Sequence, residues 1–211
     1  MEKDLTSGLH KIVGLKRIGI FGGTFDPIHL GHLVCAEQVR EGIGLDSVIF
    51  VPCAIPPHKP DYVPAEAEHR LRMVELAIEN TETFVCSDIE IRRGGISYTV
   101  DTIAELRKRV GREAELWLIL GLDAYLEIGT WKQPERIAAE CLLAVARRPG
   151  YRPDMASLKG FESRTRFIEI TEIGVSSTAV RKRIAQGKSI RFLVPRSVEA
   201  YIRQKGLYGS A

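Results

Sequence analysis

The chain is poor in the features that mark the specialised classes of protein. Its four cysteines, Cys35, Cys53, Cys86 and Cys141, are widely spaced and contain no CxxC pair. A disulfide scaffold and a structural zinc site are therefore not expected, and the four read as buried thiols in a reducing compartment. No run approaches the ~18 apolar residues that a membrane span requires. The first residues, with Glu2, Lys3 and Asp4, lack the apolar stretch of a secretory signal, so a cytoplasmic place with no membrane partner is the expectation. Repeats at solenoid periods and low-complexity linkers are also missing, which argues against repeat arrays and against a division into two domains. An excess of one charge is missing too: 30 Lys and Arg stand against 27 Asp and Glu, a net charge of +3. That is too small to mark a nucleic-acid partner, although it suits an anionic small molecule.

What remains is an ordinary globular composition, 45% hydrophobic and 27% charged over 211 residues, enough to bury a full core without metal or disulfide. Residues 1–15 read as a polar leader and 16–211 as one domain. Short apolar strands alternate with helical stretches. Strands are expected at Lys16 to Phe21, Ser47 to Val51, Thr83 to Ile91, Glu115 to Leu120, Cys141 to Ala146 and Arg166 to Ile170. The helices between them include Glu66 to Asn80, with Leu71, Val74 and Ile78 on one face, and one from about Tyr98, with Val100, Ile103, Leu106 and Val110 as its stripe. Two more close the chain, Ser177 to Gln186 and Pro195 to Lys205. Such alternation predicts an α/β fold with a doubly wound, mostly parallel sheet, helices on both faces and a helical C-terminus. In that architecture ligands bind beyond the carboxyl ends of the strands.

The segment after the first strand is Gly22-Gly23-Thr24-Phe25-Asp26-Pro27. Its glycines let backbone approach a ligand closely. His29 and His32 follow, three apart at a helix start, where unsatisfied N–H groups and the positive end of the helix dipole favour a phosphate. The same residues also fit a plain helix start with a glycine turn, and spacing alone does not choose. Dinucleotide and Walker A fingerprints both fail, and no third histidine or cysteine completes a metal set. Near the other end Ser177 and Arg181 are four apart on one helix face; taken alone they read as a cap and a solvated arginine.

Together, Gly22-Gly23-Thr24-Phe25-Asp26-Pro27-Ile28-His29-Leu30-Gly31-His32 and Val175-Ser176-Ser177-Thr178-Ala179-Val180-Arg181 resemble the two motifs of the nucleotidyltransferase superfamily, HxGH and SxTxxR. Pro56-Pro57-His58-Lys59, Ser97-Tyr98-Thr99, Gly121-Leu122-Asp123, Trp131 and Arg147-Arg148-Pro149-Gly150 narrow the resemblance to bacterial nicotinate-nucleotide adenylyltransferases. It implies ATP and nicotinate mononucleotide as partners, nicotinate adenine dinucleotide and pyrophosphate as products, and Mg²⁺ as cofactor, held by ATP phosphates and water with no protein metal ligands. It further implies His29, His32 and Arg181 as catalytic residues. Gly22, Gly23, Thr24, Phe25, Lys59, Gly121, Asp123, Arg148, Val175, Ser177 and Thr178 would bind ATP and its phosphates. Thr99, Trp131 and Lys132 would bind the mononucleotide. Cys53 stands where many relatives carry an amide side chain, and Lys132 where an aromatic residue is common. A phosphopantetheine-type transferase, a preference for the nicotinamide mononucleotide, and a nucleotide-binding module without turnover are the alternatives; oligomeric state is left open. The net charge is unevenly spread: from Ser176 to the end eight Lys or Arg face Glu199 alone, +7, which leaves −4 on the preceding residues.

Overall fold

A computed structural model describes residues 8–57, 63–147 and 161–209. The six strands, β1 (Arg17–Gly23), β2 (Ser47–Pro52), β3 (Phe84–Cys86), β4 (Glu115–Gly121), β5 (Leu142–Arg147) and β6 (Thr165–Glu169), form one parallel sheet in the order β3-β2-β1-β4-β5-β6. The described helices are α1 (Leu30–Ile43), α2 (Ala67–Ile78), α3 (Ile89–Arg93), α4 (Thr99–Val110), α5 (Leu122–Leu126), α6 (Pro134–Glu140), α7 (Ser177–Ala185) and α8 (Arg196–Lys205). None is long and apolar enough to cross a membrane. Doubly wound α/β is therefore the observed architecture, with every described strand pair parallel.

The strands are apolar on both faces because both are covered. Val48 and Phe50 of β2 face a core closed by α1, α2, α7 and α8, while Ile49 and Val51 face a second core closed by α4 and α6. Gly19 in β1 is a glycine for lack of room: a Cβ there would lie 2.8 Å from Leu45 Cδ1 and 2.9 Å from Ile119 Cδ1. The connections leave β1 toward β2 on one side and return toward β4 on the other, so a crevice opens at the carboxyl end of β1.

Three expectations differ from the structure. The strand expected over Thr83 to Ile91 ends at Cys86, and α3 follows. Alternation of Ile89 and Ile91 mimics a strand, but Asp88 holds the Arg92 guanidinium at 3.0 Å and accepts its backbone N–H, closing a helical turn that Gly94 ends at φ 69°. On α2 the inward position belongs to Arg70 rather than Leu71, which is half-buried. Residues 8–15 are not a detached polar leader, because a 3₁₀ turn over Leu9–Ile12 buries both of its end residues in the second core.

Candidate active site

The turn after β1 closes on itself before it meets anything else. Phe25 takes φ 49°, and its ring folds under the turn, 2% exposed, edge-on to Phe21 and to the His32 imidazole. Gly23 leaves the space for it, since a Cβ there would lie 3.0 Å from Phe25 Cζ. Phe25 thus backs the site from the core instead of lining it.

His29 is the N-cap of α1 in extended conformation, and its backbone N–H donates to His32 Nδ1 at 3.2 Å. An Nδ1 that accepts leaves the proton of a neutral imidazole on Nε2, so His32 offers an Nε2–H donor. The two rings stack with centroids 3.7 Å apart and planes 23° apart. Burial lowers His29 to about 4. His32 lies well below its ordinary value, by burial first and by the nearby His29 second. At neutral pH the pair is uncharged, so what it can offer a ligand is a hydrogen bond rather than a positive charge. Gly31 explains itself here: a Cβ would stand 3.1 Å from His29 Nδ1, so the glycine of the HxGH pattern makes room for the imidazole before it.

The second motif is bound to the first. Ser176 caps α7, accepting the Ala179 N–H at 3.1 Å. Ser177 Oγ donates to Pro27 O at 2.9 Å, and Arg181 Nη1 donates to Asp26 O at 2.6 Å. Asp26 is 2% exposed; its carboxylate also accepts from the Tyr208 hydroxyl and the Ala65 N–H, and lies 3.8 Å from Arg181. A cavity of about 460 Å³ results, lined by Thr24, Asp26, His29, His32, residues Val175 to Thr178, and Arg181. It has cation and N–H donors on several sides and the positive end of a nine-residue helix beside it.

A second cavity, about 660 Å³, lies on the other side of Thr24, which lines both. Gly22, Gly23, Cys53, Glu90, residues Ser97 to Thr99, Gly121, Trp131 and Lys132 surround it. Lys132 Nζ pairs with Asp101 at 3.0 Å and sits 4.2 Å over the Tyr98 ring, closing one wall onto the start of α4.

Most expected site residues thus gather around Thr24. Gly121 lines the larger cavity and not the phosphate one, and Asp123, exposed on α5, lines neither. Lys59 and Arg148 lie outside the described residues. Arg70 escaped the sequence reading altogether. It is 1% exposed, and its guanidinium donates to Ala65 O at 2.8 Å, Thr24 O at 2.9 Å, Cys53 O at 2.7 Å and Ala54 O at 3.0 Å, tying the turn after β1 to the turn after β2. The available signal was a charged residue one position before an apolar helical stripe. Glu90 was missed as well, hidden in a segment read as strand.

The cytidylyltransferase-like family model matches residues 20–183. A protein of Moorella thermoacetica named "Probable nicotinate-nucleotide adenylyltransferase" is 46% identical over 200 residues, 91% of this chain and 91% of that protein. One of Thermus thermophilus with the same name is 46% identical over 192 residues, 91% of this chain and 99% of that protein. The fold matches the Plasmodium falciparum nicotinic acid mononucleotide adenylyltransferase complexed with NaAD at a TM-score of 0.77 and 22% identity, covering 93% of this chain and 98% of that one.

Proposed function

The chain belongs to the cytidylyltransferase-like family, among the nicotinate-nucleotide adenylyltransferases, and from that premise we infer that it transfers the adenylyl group of ATP to nicotinate mononucleotide in NAD biosynthesis. The observation that carries the reading is the meeting of two unlike cavities at Thr24, one rich in donors for phosphate and one partly aromatic and apolar. A phosphate oxygen of the mononucleotide attacks the α-phosphorus of ATP in line. The new P–O bond forms as the bond from the α-phosphorus to the bridging oxygen breaks, and that oxygen leaves with pyrophosphate.

The attacking phosphate has a second pKa near ~6 and is mostly dianionic at neutral pH, so no general base is required. This agrees with a site whose histidines are neutral donors. His32 Nε2–H stabilises the α-phosphoryl oxygens as charge grows on them, with His29 beside it. Ser177, Thr178, Arg181 and the start of α7 hold the β- and γ-phosphates, and Gly22, Gly23 and Thr24 lie against the reacting groups. Thr99, Trp131 and Lys132 hold the mononucleotide, the indole stacking on the pyridine ring. Lys59 and Arg148 are kept as further ATP contacts and Gly121 as a wall of the larger cavity.

Mg²⁺ fits as an ion carried by the triphosphate. Among the described residues no three His, Cys, Asp or Glu gather to hold a metal, and the one carboxylate of the phosphate cavity, Asp26, is occupied by Tyr208 and Ala65. Phosphate oxygens and water would be its ligands, and it would offset charge on the leaving pyrophosphate. We take residues 16–211 as one catalytic unit, supported by the single sheet. Four free cysteines support a cytoplasmic place. The +7 excess after Ser176 is read as a field for triphosphate rather than a nucleic-acid surface.

Pyrophosphate release with ATP, MgCl₂ and each mononucleotide in parallel tests the reading. Release with nicotinate mononucleotide well above that with the amide is expected. Equal rates would overturn the substrate, and no release with either would leave a binding module.

A further inference from the structure

The larger cavity contains a carboxylate that the reaction above does not use. Glu90, on α3, is 6% exposed and lines the cavity beside Ser97 and Thr102. Burial raises its carboxyl above the ordinary range, while the hydroxyls of Thr102 and Ser97 and the Arg93 charge act against that rise.

The hydrogen bonds around it run in one direction. Arg93 Nη2 donates to Thr102 Oγ1 at 2.9 Å, and Thr102 Oγ1 donates to Glu90 Oε1 at 2.5 Å. On the other side the Ala54 N–H donates to Ser97 Oγ at 2.9 Å, and Ser97 lines the cavity beside Glu90. Thr102 has a single hydroxyl proton, a guanidinium cannot accept it, and Glu90 Oε1 is a much nearer acceptor than Tyr98 O at 3.5 Å. That proton therefore goes to Glu90, which serves as its acceptor. A carboxylate provides two oxygens for this role. A glutamine provides one, and sets two further N–H donors among groups that are already donating.

The chain of bonds ends on the walls of the cavity. Ala54 follows β2, whereas Ser97 and Thr102 bracket the first turn of α4, which begins at Thr99 with no side-chain cap. The Ser97 N–H donates to Ile55 O at 3.0 Å, and Ile55 pairs with Ile96 as a parallel bridge. Ser97 joins these two walls directly, and Glu90 holds α4 one turn further on through Thr102.

We propose that Glu90 is a positioning residue for the mononucleotide: by holding Thr102 it sets the first turn of α4, so that Tyr98 and Thr99 meet the pyridine ring in one orientation. The proposal rests on the larger cavity being the mononucleotide site. The triphosphate cavity shares none of this network, so Glu90 acts on one substrate and not on the other.

Steady-state pyrophosphate release by the full chain, with ATP, MgCl₂ and nicotinate mononucleotide, separates the possibilities. Glu90→Gln is expected to raise KM for the mononucleotide about tenfold while KM for ATP stays within about twofold, the cost of one misplaced bond to a charged acceptor. Thr102→Val should cost less in the Glu90→Gln background than in the parent, because both act through one bond. No turnover by the parent protein would sink the functional reading. An active parent whose Glu90→Gln variant raises both KM values equally, or neither, would overturn the role of Glu90 alone. If Glu90→Gln loses its cooperative thermal transition, Thr102→Val and Thr102→Ser decide. Valine should raise KM for the mononucleotide and serine should recover most of that loss, whereas equal effects would overturn the proposal.

Discussion

Lowering the pH from 7.5 to 5 is expected to remove about 2 kcal/mol of folding stability through His29 alone. In the fold its imidazole titrates at about 4 because burial disfavours the charged form; in the unfolded chain it returns to about 6.5. The unfolded chain therefore takes up a proton below about 6.5 while the folded chain does not until about 4. The histidine's contribution is fully present above the unfolded value, falls as the pH drops between the two, and is spent below the folded one. Across the whole window the difference amounts to about 3 kcal/mol, and at pH 5 about two-thirds of it is gone. For a chain of this size, 2 kcal/mol corresponds to roughly 4–8 °C in melting temperature. Other groups titrate in the same range, so the measurement is a difference. Urea unfolding of the parent and of His29→Asn, at steps from pH 8 to pH 4, should yield a gap in stability that shrinks steadily toward acid. A gap that stays constant to within about 0.5 kcal/mol across that range would refute a neutral, burial-shifted His29. His32, shifted the same way chiefly by burial and secondly by His29, should steepen the acid loss of both proteins, slightly less in the variant, so that the gap shrinks in the same direction.

Three further outcomes follow from single contacts. His32→Ala should lower kcat by about 10²–10³ with a smaller effect on KM for ATP, because its Nε2–H is needed most as charge develops; a large rise in KM with kcat unchanged would place its contact in the ground state. Gly31→Ala puts a methyl group 3.1 Å from His29 Nδ1, and is expected to cut kcat at a stability cost of about 1–3 kcal/mol, read by kinetics and thermal melting together. Arg70→Met leaves four carbonyls without their donor and should cost at least about 3 kcal/mol in urea denaturation; Arg70→Lys should recover only part, since one ammonium cannot span both turns.

The order of elements and the two motifs were legible because they are local. Strand, glycine turn and helix follow one another in sequence, His29 and His32 are one helical turn apart, and Ser177 and Arg181 share a face. Properties created by burial were not legible. Two histidines facing phosphate suggest cations, yet their depth makes them neutral donors. Arg70 breaks the apolar pattern of α2, and its reason lies in carbonyls of two turns distant in sequence. Alternating Ile89 and Ile91 obeyed a strand period while Asp88 and Arg92 closed a helix. Gly31 was readable as part of a pattern, but its cause is the ring of His29. Asp26 was quoted within the first motif without a task, which only its contacts with Arg181, Tyr208 and Ala65 supply.

The bond from Tyr208 to Asp26 also bears on when the protein becomes competent during its synthesis. The sheet, the larger cavity and the histidine pair are encoded ahead of α7, whereas two of the partners that enclose Asp26, Arg181 and Tyr208, are encoded within α7 and after α8. A nascent chain halted before α7 contains the larger cavity and the histidine pair but neither Arg181 nor Tyr208. If the phosphate cavity acts as proposed, turnover therefore waits on synthesis of the segment through Tyr208, and a chain cut ahead of α7 leaves Asp26 without Arg181 and Tyr208.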